Sequence, residues 1–364
     1  MKSFIKYLIS ISIATGFLWW VYREQNLSDI LERIEQTDLL WLCLSLLALI
    51  ISNYSRAIRW RIALEPLGYY PTGVRSFLSV MSGYFINAII PRMGEIIRCT
   101  LLSKTASVPI KLSIGTLIAE RVLDMLIMGS LVMLMFIIEF EKVVALISFI
   151  SGQPAESVSS FVIGLGSIGA LLFITLIIGY LFRKQLIQFK LFKTGEERLL
   201  SVIQEADRYP LLHKLIQLLS GIKDGLISIQ KMSLRQQITY IGHTIVIWSM
   251  YYLMTYTLFQ GGSATEHLSL TCAFTTFVMG GIGMVIPTPG GTGSYHFVVT
   301  QTLMAYGLTE GNAAAFAIVM HGAQSLSIIA LGGLSMLIAN HIPQQGSYRE
   351  TLNQVVSEDT SNNV

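Results

Sequence analysis

Two groups of residues in this sequence have the types and spacing to do chemistry, and both lie in apolar surroundings. The first is Glu120, Arg121 and Asp124, with Asn87, Arg92, Glu95 and Arg98 a short way upstream. On a helix, Glu120 and Asp124 are four apart and share a face, and Arg121 is three from Asp124 and within its reach. Two accounts are open: a buried Arg–Asp pair that holds helices together, or a polar lining that faces Arg92, Glu95 and Arg98. An ionisable side chain at the centre of a membrane helix costs about 2.5–3.5 kcal/mol on insertion scales, so such groups tend to pair or to face a pathway. Arg92 and Arg98 would suit a phosphate, because a guanidinium offers paired donors.

The second group runs from Pro287 through Thr288, Pro289, Gly290, Gly291, Thr292, Gly293 and Ser294 to His296. It is rich in backbone N–H groups and has no acidic side chain. A glycine-rich break leading into a helix near Ser294 would form an anion cradle, since unpaired amides and the helix dipole favour negative charge. The alternative is a tight turn that needs glycine for its geometry. His296, His321 and Gln324 are the polar side chains nearest in sequence. Each histidine is either a hydrogen-bonded packing residue or a proton relay.

Signals for other chemistries fail on context. Gly164-Leu165-Gly166-Ser167-Ile168-Gly169 matches a dinucleotide fingerprint literally, but it sits in an apolar run with no preceding strand, where small residues serve helix packing. The Pro287–Gly293 stretch lacks the Lys-Ser/Thr of a P-loop, and no His-x-x-x-His pair or Gly-x-Ser-x-Gly elbow is present. Cys43, Cys99 and Cys272 have no metal-ligand or disulfide-framework spacing. No cofactor and no metal is expected, and the missing nucleophile and metal constellations weigh against an enzyme.

The elements that must position these groups are membrane helices. Of 364 residues, 52% are hydrophobic and 13% charged, and the mean hydropathy is +0.60. A soluble domain carries about 25% charged residues, so a soluble enzyme is excluded. The net charge of +3 resides mostly in loops, which argues for membrane orientation and against nucleic-acid binding. The fold class is therefore an all-α polytopic membrane protein. Apolar runs predict spans near 5–22, 39–58, 113–138, 159–182, 236–259 and 311–340. The run at 5–22 ends in Trp19, Trp20 and Tyr22, not in small residues before a cleavage site, and reads as a retained helix. Two further stretches, 76–102 and 268–305, are broken in the middle, with Pro91 and Gly94 as the hinge of the first and Pro287 and Pro289 as that of the second.

Loop charges decide whether the broken stretches cross or turn back, because Lys and Arg concentrate on the cytoplasmic side. If both are re-entrant and the N-terminus is cytoplasmic, loop 23–38, with two basic and five acidic residues, falls outside. Arg56, Arg59, Arg61, Arg75, Arg92, Arg98, Lys104 and Lys111 then cluster inside, the acidic loop at 139–158 falls outside, and segment 183–235, with ten basic and five acidic residues, falls inside. Six spans plus two hairpins result, with both termini cytoplasmic in the cell membrane. Segment 183–235 is either an amphipathic surface helix or a solvated linker, and residues 341–364 read as a disordered tail. Ile90-Pro91-x-x-Gly94 and Ile286-Pro287-x-x-Gly290 share one frame, which is either a coincidence of a short motif or the mark of an internal repeat, 39–138 and 236–340. In this topology the two units are inverted, a design that recurs in secondary transporters.

Four motifs in order resemble one known family: Arg56-x-x-Arg59-Trp60; Asn87-x-x-x-Pro91-x-x-Gly94-Glu95-x-x-Arg98; Glu120-Arg121-x-x-Asp124; and Pro287-x-Pro289-Gly290-Gly291-x-Gly293. They are similar to the flippase-like family, also called the lysylphosphatidylglycerol synthase transmembrane region, over roughly residues 5–340. The resemblance implies a membrane domain that moves lipids or lipid-linked groups between leaflets, with an anionic headgroup as partner of the polar residues above. Members with an appended cytoplasmic aminoacyl-transfer domain make lysylphosphatidylglycerol. This chain ends in a short polar tail, so that activity is not carried over. A membrane-embedded enzyme of lipid-linked sugar metabolism, an accessory protein with a lipid-modifying partner, and a homo-oligomer all stay open at this stage.

Overall fold

The computed structural model describes residues 35–90, 93–164, 166–167, 228–286 and 288–345, together with Ser28 and Glu32. The expected span at 5–22, most of that at 159–182, segment 183–227, the tail from 346, and Pro91, Arg92 and Pro287 lie outside the described residues. Among the described residues there is no strand.

Among the described residues, the architecture is carried by α1 Leu39–Leu64, α2 Gly73–Ile89, α3 Gly94–Ala106, α4 Ile110–Ile138, α5 Phe140–Ser151, α6 Leu234–Gln260, α7 Leu270–Val285, α8 Ser294–Ala305 and α9 Glu310–His341. Short 3₁₀ turns lie at Glu65–Leu67 and Pro289–Gly291. Their ends follow local chemistry. Asp38, Thr72, Ser233, Ser269 and Thr309 precede α1, α2, α6, α7 and α9, and each side chain accepts a backbone N–H of the first turn, a cap that contributes about 1 kcal/mol. At 1.5 Å per residue, α1, α4, α6 and α9 are about 39 to 48 Å long, enough for a hydrocarbon core of about 30 Å. Of these, α1, α4 and α9 are also apolar enough to cross a membrane; α6 carries more hydroxyl and amide side chains.

The broken stretches turn back on themselves. In the first, Gly83 of α2 lies against Gly94 and Arg98 of α3, and Leu78 against Leu101 farther along, so the arms run antiparallel. In the second, Gly283 and Gly280 of α7 lie against Ser294, Tyr295 and Val299 of α8, and the Tyr306 hydroxyl, just past the end of α8, reaches Thr275 Oγ1 at 3.1 Å. Each arm is 12 to 17 residues long, about 18 to 25 Å, and too short to span alone.

Helices α1 and α6 pack antiparallel along their whole length and form the central pair. Asp38 N–H donates to the Gly261 carbonyl at one end, the Ser45 hydroxyl to the Met254 carbonyl farther in, and Gln236 Nε2 to Glu65 at the other end. The first arm of each hairpin leans on the last long helix of the opposite half, α2 on α9 and α7 on α4. The second arm packs on the helix that follows it, α3 on α4 and α8 on α9. Hairpin α2–α3 opens at the end that holds the C-terminus of α9, and hairpin α7–α8 at the opposite end, beside the N-terminus of α9.

The surface is inverted relative to a soluble protein. Ser45, Ser52, Ala57, Ser79, Ser82, Thr116 and Ala119 are buried, whereas Leu47, Ile50, Ile137, Val285 and Leu337 are exposed. Small and hydroxyl-bearing residues let helix backbones approach when lipid is the surrounding solvent.

Two expectations need correction. The second span runs on to Leu64 instead of stopping near 58, so Arg56 and Arg59 lie inside α1 and not in a basic loop. Asn53, Arg56, Arg59 and Trp60 share one face at three- and four-residue spacing, so an inward polar stripe replaces the expected loop. The acidic loop at 139–158 is helix α5, followed by helical residues 155–164. Val143 packs on Met135 and Val278, and Val144 on Val158 and Val162, burying a face that a count of acidic residues overlooks.

The tightest approach is at the tip of the first hairpin. A Cβ on Gly94 would overlap the Gly83 carbonyl oxygen and sit 2.6 Å from Asn87 Cγ. Gly94→Ala is expected to lower stability by about 1–3 kcal/mol through overpacking, read as a drop in Tm of the detergent-solubilised protein. Gly129→Ala, in α4 with nothing within 4 Å of the added methyl, should leave Tm unchanged or slightly raised. Equal Tm values for the two variants would refute the close approach.

Candidate functional site

The polar stripe of α1 meets α3, α4 and α6 inside the bundle. Arg56 Nη1 lies 3.0 Å from Glu120 Oε1 and 2.7 Å from Asp124 Oδ2. Arg59 Nη2 lies 2.8 Å from Asp124 Oδ1 and 3.1 Å from Glu120 Oε1. Arg98 Nη2, from the second turn of α3, reaches Glu120 Oε2 at 3.1 Å. Glu120 thus touches three guanidinium groups. Arg56, Arg59, Arg98 and Glu120 are all at most 4% exposed. From α6, the Tyr251 hydroxyl accepts from Arg56 at 3.3 Å and Thr244 Oγ1 from Arg59 at 3.4 Å.

The charges in this core do not cancel. Three guanidiniums face two carboxylates, which leaves one positive charge among buried groups. Arg98 lies over the Trp60 ring, its Cζ 3.9 Å from the centroid. Trp60 is itself fixed by a bond from its indole N–H to Thr116 Oγ1 at 3.1 Å. With Nη2 engaged by Glu120, Arg98 Nε and Nη1 are buried without hydrogen-bond partners. A desolvated cation with unpaired donors is the arrangement that takes up an anion. The cluster opens towards Arg121 and Glu95, which pair at 3.2 Å and are one third to nearly one half exposed.

The tip of the first hairpin borders this site. Asn87 Oδ1 accepts the Gly94 N–H at 2.7 Å, so the break is braced by a side chain where the helical ladder stops. Glu95 and Arg98 then follow on the first two turns of α3.

The second hairpin is built differently. The Gly291 N–H donates to the Thr288 carbonyl and the Thr292 N–H to the Pro289 carbonyl, while the Gly293 N–H donates to His296 Nδ1 at 3.2 Å. Those three amides are committed within the loop, so an anion cradle there would have to give up bonds already made. Gly290, Gly291 and Gly293 have φ of 58°, 77° and 84°, the left-handed region that favours glycine, which is the tight-turn account. Ser294 Oγ lies 2.7 Å from Thr288 Oγ1 and closes the loop on itself. His321 Nε2, on α9, is 2.9 Å from the Gly290 carbonyl. The His321 ring stacks on Tyr295 and meets His296 edge-on, with centroids 5.1 and 4.8 Å apart.

Of the residues expected from sequence, Arg98, Glu120 and Asp124 come together in the cluster, and Asn87, Glu95 and Arg121 line its edge. Arg121 pairs mainly with Glu95, since its distance to Asp124 is 3.9 Å. Gly290, Gly291, Gly293, Ser294, His296 and His321 form a separate group at the second break, with Pro289 opening its 3₁₀ turn, and Gln324 lies one turn beyond His321, half-buried. Arg92, Pro91 and Pro287 fall outside the described residues. Arg56, Arg59, Trp60, Thr116, Thr244 and Tyr251 were not anticipated as site residues. The signal for the first three was their shared helical face, hidden when α1 was ended too early. Among the described residues no cluster of metal-ligating side chains occurs.

Residues 7–332 match the family described as the lysylphosphatidylglycerol synthase TM region. A curated relative is the UPF0104 membrane protein MJ1595 of Methanocaldococcus jannaschii, 31% identical over 126 residues, which are 34% of this chain and 36% of the relative. The alignment thus spans about a third of that protein's length. No solved structure matches the chain. With four motifs in order, an all-helical membrane fold and a family match over nearly its whole length, the chain belongs to the lysylphosphatidylglycerol synthase transmembrane-region family of membrane proteins.

Proposed function

We propose that this protein is a lipid translocase that carries a lipid with an anionic phosphate-containing headgroup between the leaflets of the cell membrane. The observation that carries this reading is the buried cluster of three arginines and two carboxylates with unpaired Arg98 donors. Arg56 lies eight residues from the end of α1, and Glu120 ten residues from the start of α4, a depth of about 12–15 Å. A phosphate held at that depth by Arg98 would balance the residual charge while its acyl or polyprenyl tails stay in lipid.

The frame supports a translocase over an enzyme. Helices α1 to α4 and α6 to α9 repeat the order of long helix, broken hairpin, long helix, and the hairpins open at opposite ends. We read them as an inverted repeat over 39–138 and 236–340, with the charged site carried by the first half where it faces α6 of the second, as in secondary transporters where rocking of one repeat against the other exposes a fixed site to alternate sides. Arg61, Arg75, Lys104, Lys111, Lys231 and Arg235 fall at the end where hairpin α2–α3 opens, whereas Asp38, Glu139, Glu266 and Glu310 fall at the other. We read the basic end as the cytoplasmic one by the positive-inside rule; with a span at 5–22, as the sequence predicts, both termini are cytoplasmic in this reading. Since the family match is to the transmembrane region, synthase activity is no part of this proposal.

In proteoliposomes, labelled phosphatidylglycerol or a labelled polyprenyl phosphate is expected to change leaflet in a protein-dependent manner without a change in mass. Arg98→Gln leaves two arginines against two carboxylates, so the variant should fold normally and lose transport by about tenfold or more. Glu120→Gln instead leaves three arginines against one carboxylate, and a loss of about 3–5 kcal/mol in stability is expected from the uncompensated buried charge. A change in lipid mass would convert the reading to an enzyme, and full transport by Arg98→Gln would refute the site.

Orientation is tested separately. With exposed Cys43 replaced by Ser, a membrane-impermeant maleimide should label Lys111→Cys only from the cytoplasmic side and Glu266→Cys only from the outside; the reverse pattern would overturn the topology.

A further inference from the structure

Helix α9 ends at His341, but the chain continues as an extended segment, Ile342 to Gln345, across the open end of hairpin α2–α3. Gln345 is bonded on all sides. Its N–H donates to the Thr105 carbonyl at 2.9 Å, its carbonyl accepts from Ser107 Oγ at 3.0 Å, its Oε1 accepts the Thr72 N–H at 3.3 Å, and its Nε2 donates to the Tyr70 carbonyl at 3.0 Å. Around it, Arg75 donates to the Pro343 carbonyl at 3.0 Å, Gln344 Nε2 to Ser107 Oγ at 3.0 Å, and Lys104 Nζ to Asn340 Oδ1 at 3.2 Å.

Every one of these partners belongs to the two ends of hairpin α2–α3, in the other half of the molecule. Ser107 is the only described non-glycine residue with positive φ, 55°, a conformation uncommon for a side-chain-bearing residue. It is the C-cap of α3, and there its hydroxyl meets both Gln344 and Gln345. Beneath the segment, Ala339 and Ile342 close on Leu78, Leu101 and Ile97, and Ala339 is 1% exposed. The bonds above this apolar layer face water, so each is individually weak and reversible.

Among the described residues, the opposite end of the bundle has no comparable strap and holds a cavity instead. A cavity of about 520 Å³ lies there between the N-terminal side of α1, the C-terminal end of α6 and the start of α9, with Gln36 and Ser263 exposed on its rim and Leu258 and Phe316 in its wall. We propose that residues 340–345 form a releasable strap that shuts the basic end of the bundle in this conformation, and that its release is the step that opens that end. Its part in transport rests on the translocase reading; the opening itself does not.

The test separates the two. In a Cys43→Ser background, Ala339→Cys reports the layer under the strap, and Leu101→Cys is a second reporter should the first fail to fold. Alkylation by an impermeant maleimide applied to the basic end should be slow with the strap intact and faster by on the order of tenfold in Gln345→Ala. In the same Cys43→Ser background, joining Ser107→Cys to Gln344→Cys, whose side chains meet in the parent protein, with a short reducible thiol crosslinker should block lipid movement until a reductant is added. An unchanged alkylation rate in Gln345→Ala would overturn the strap, and lipid movement undiminished by the crosslink would overturn its gating role. Faster alkylation in a protein that moves no lipid in any form would leave the strap standing and overturn the translocase reading.

Discussion

The structure depends on how five ionised side chains are kept out of water. Arg56, Arg59, Arg98, Glu120 and Asp124 come from three helices and are charged groups within apolar segments, where each alone would cost about 2.5–3.5 kcal/mol. They offset that penalty only by facing one another. Glu120 is the joint, since it meets a guanidinium from Arg56, Arg59 and Arg98. The mutual need for counter-charge fixes α3 against α4 and both against α1, and Tyr251 and Thr244 extend the same bonding to α6. Because the match is three against two, the cluster carries one guanidinium more than it has carboxylates.

The two hairpins share a frame and differ in chemistry. Both turn at a glycine-bearing break and both rely on close backbone approach, Gly83 to Gly94 in one and Gly283 to Tyr295 in the other. At the first break the acceptor for the free amide is a side chain, Asn87, and the next turn of α3 delivers Arg98 to the charge cluster. At the second, the amides bond within the loop, and His321 ties the loop to α9. Only the first hairpin delivers a charged side chain to the buried cluster.

Much of this was legible in the sequence, and what was missed has a physical cause. The long helices and the two breaks follow from apolar runs and from proline and glycine, which act locally. Glu120, Asp124 and Arg98 stood out because charge in an apolar run is expensive wherever it points. Arg56 and Arg59 were harder. They sit near the end of an apolar run, where arginine commonly marks a loop, and only the continuation of α1 to Leu64 turns them inward. Helix α5 was lost for a related reason, since Glu139 and Glu141 dominate a short segment whose apolar face is satisfied by α4 and α7. The committed amides of the second hairpin were beyond reach, because which acceptor an N–H finds depends on φ values at Gly290, Gly291 and Gly293 that composition does not specify.

The contacts divide by depth in a way that bears on motion. At the centre, charged groups in low dielectric bind strongly and resist separation. At the basic end, the segment around Gln345 holds the two halves through neutral or solvent-facing bonds that water can replace. All five charged residues belong to α1, α3 and α4 of the first half, which at this depth meets α6 through the Tyr251 and Thr244 hydroxyls. On the translocase reading, an anion that added a bond to Arg98 would tighten the central cluster without touching the bonds around Gln345, so binding at the centre and opening at the end would be separable events on one scaffold.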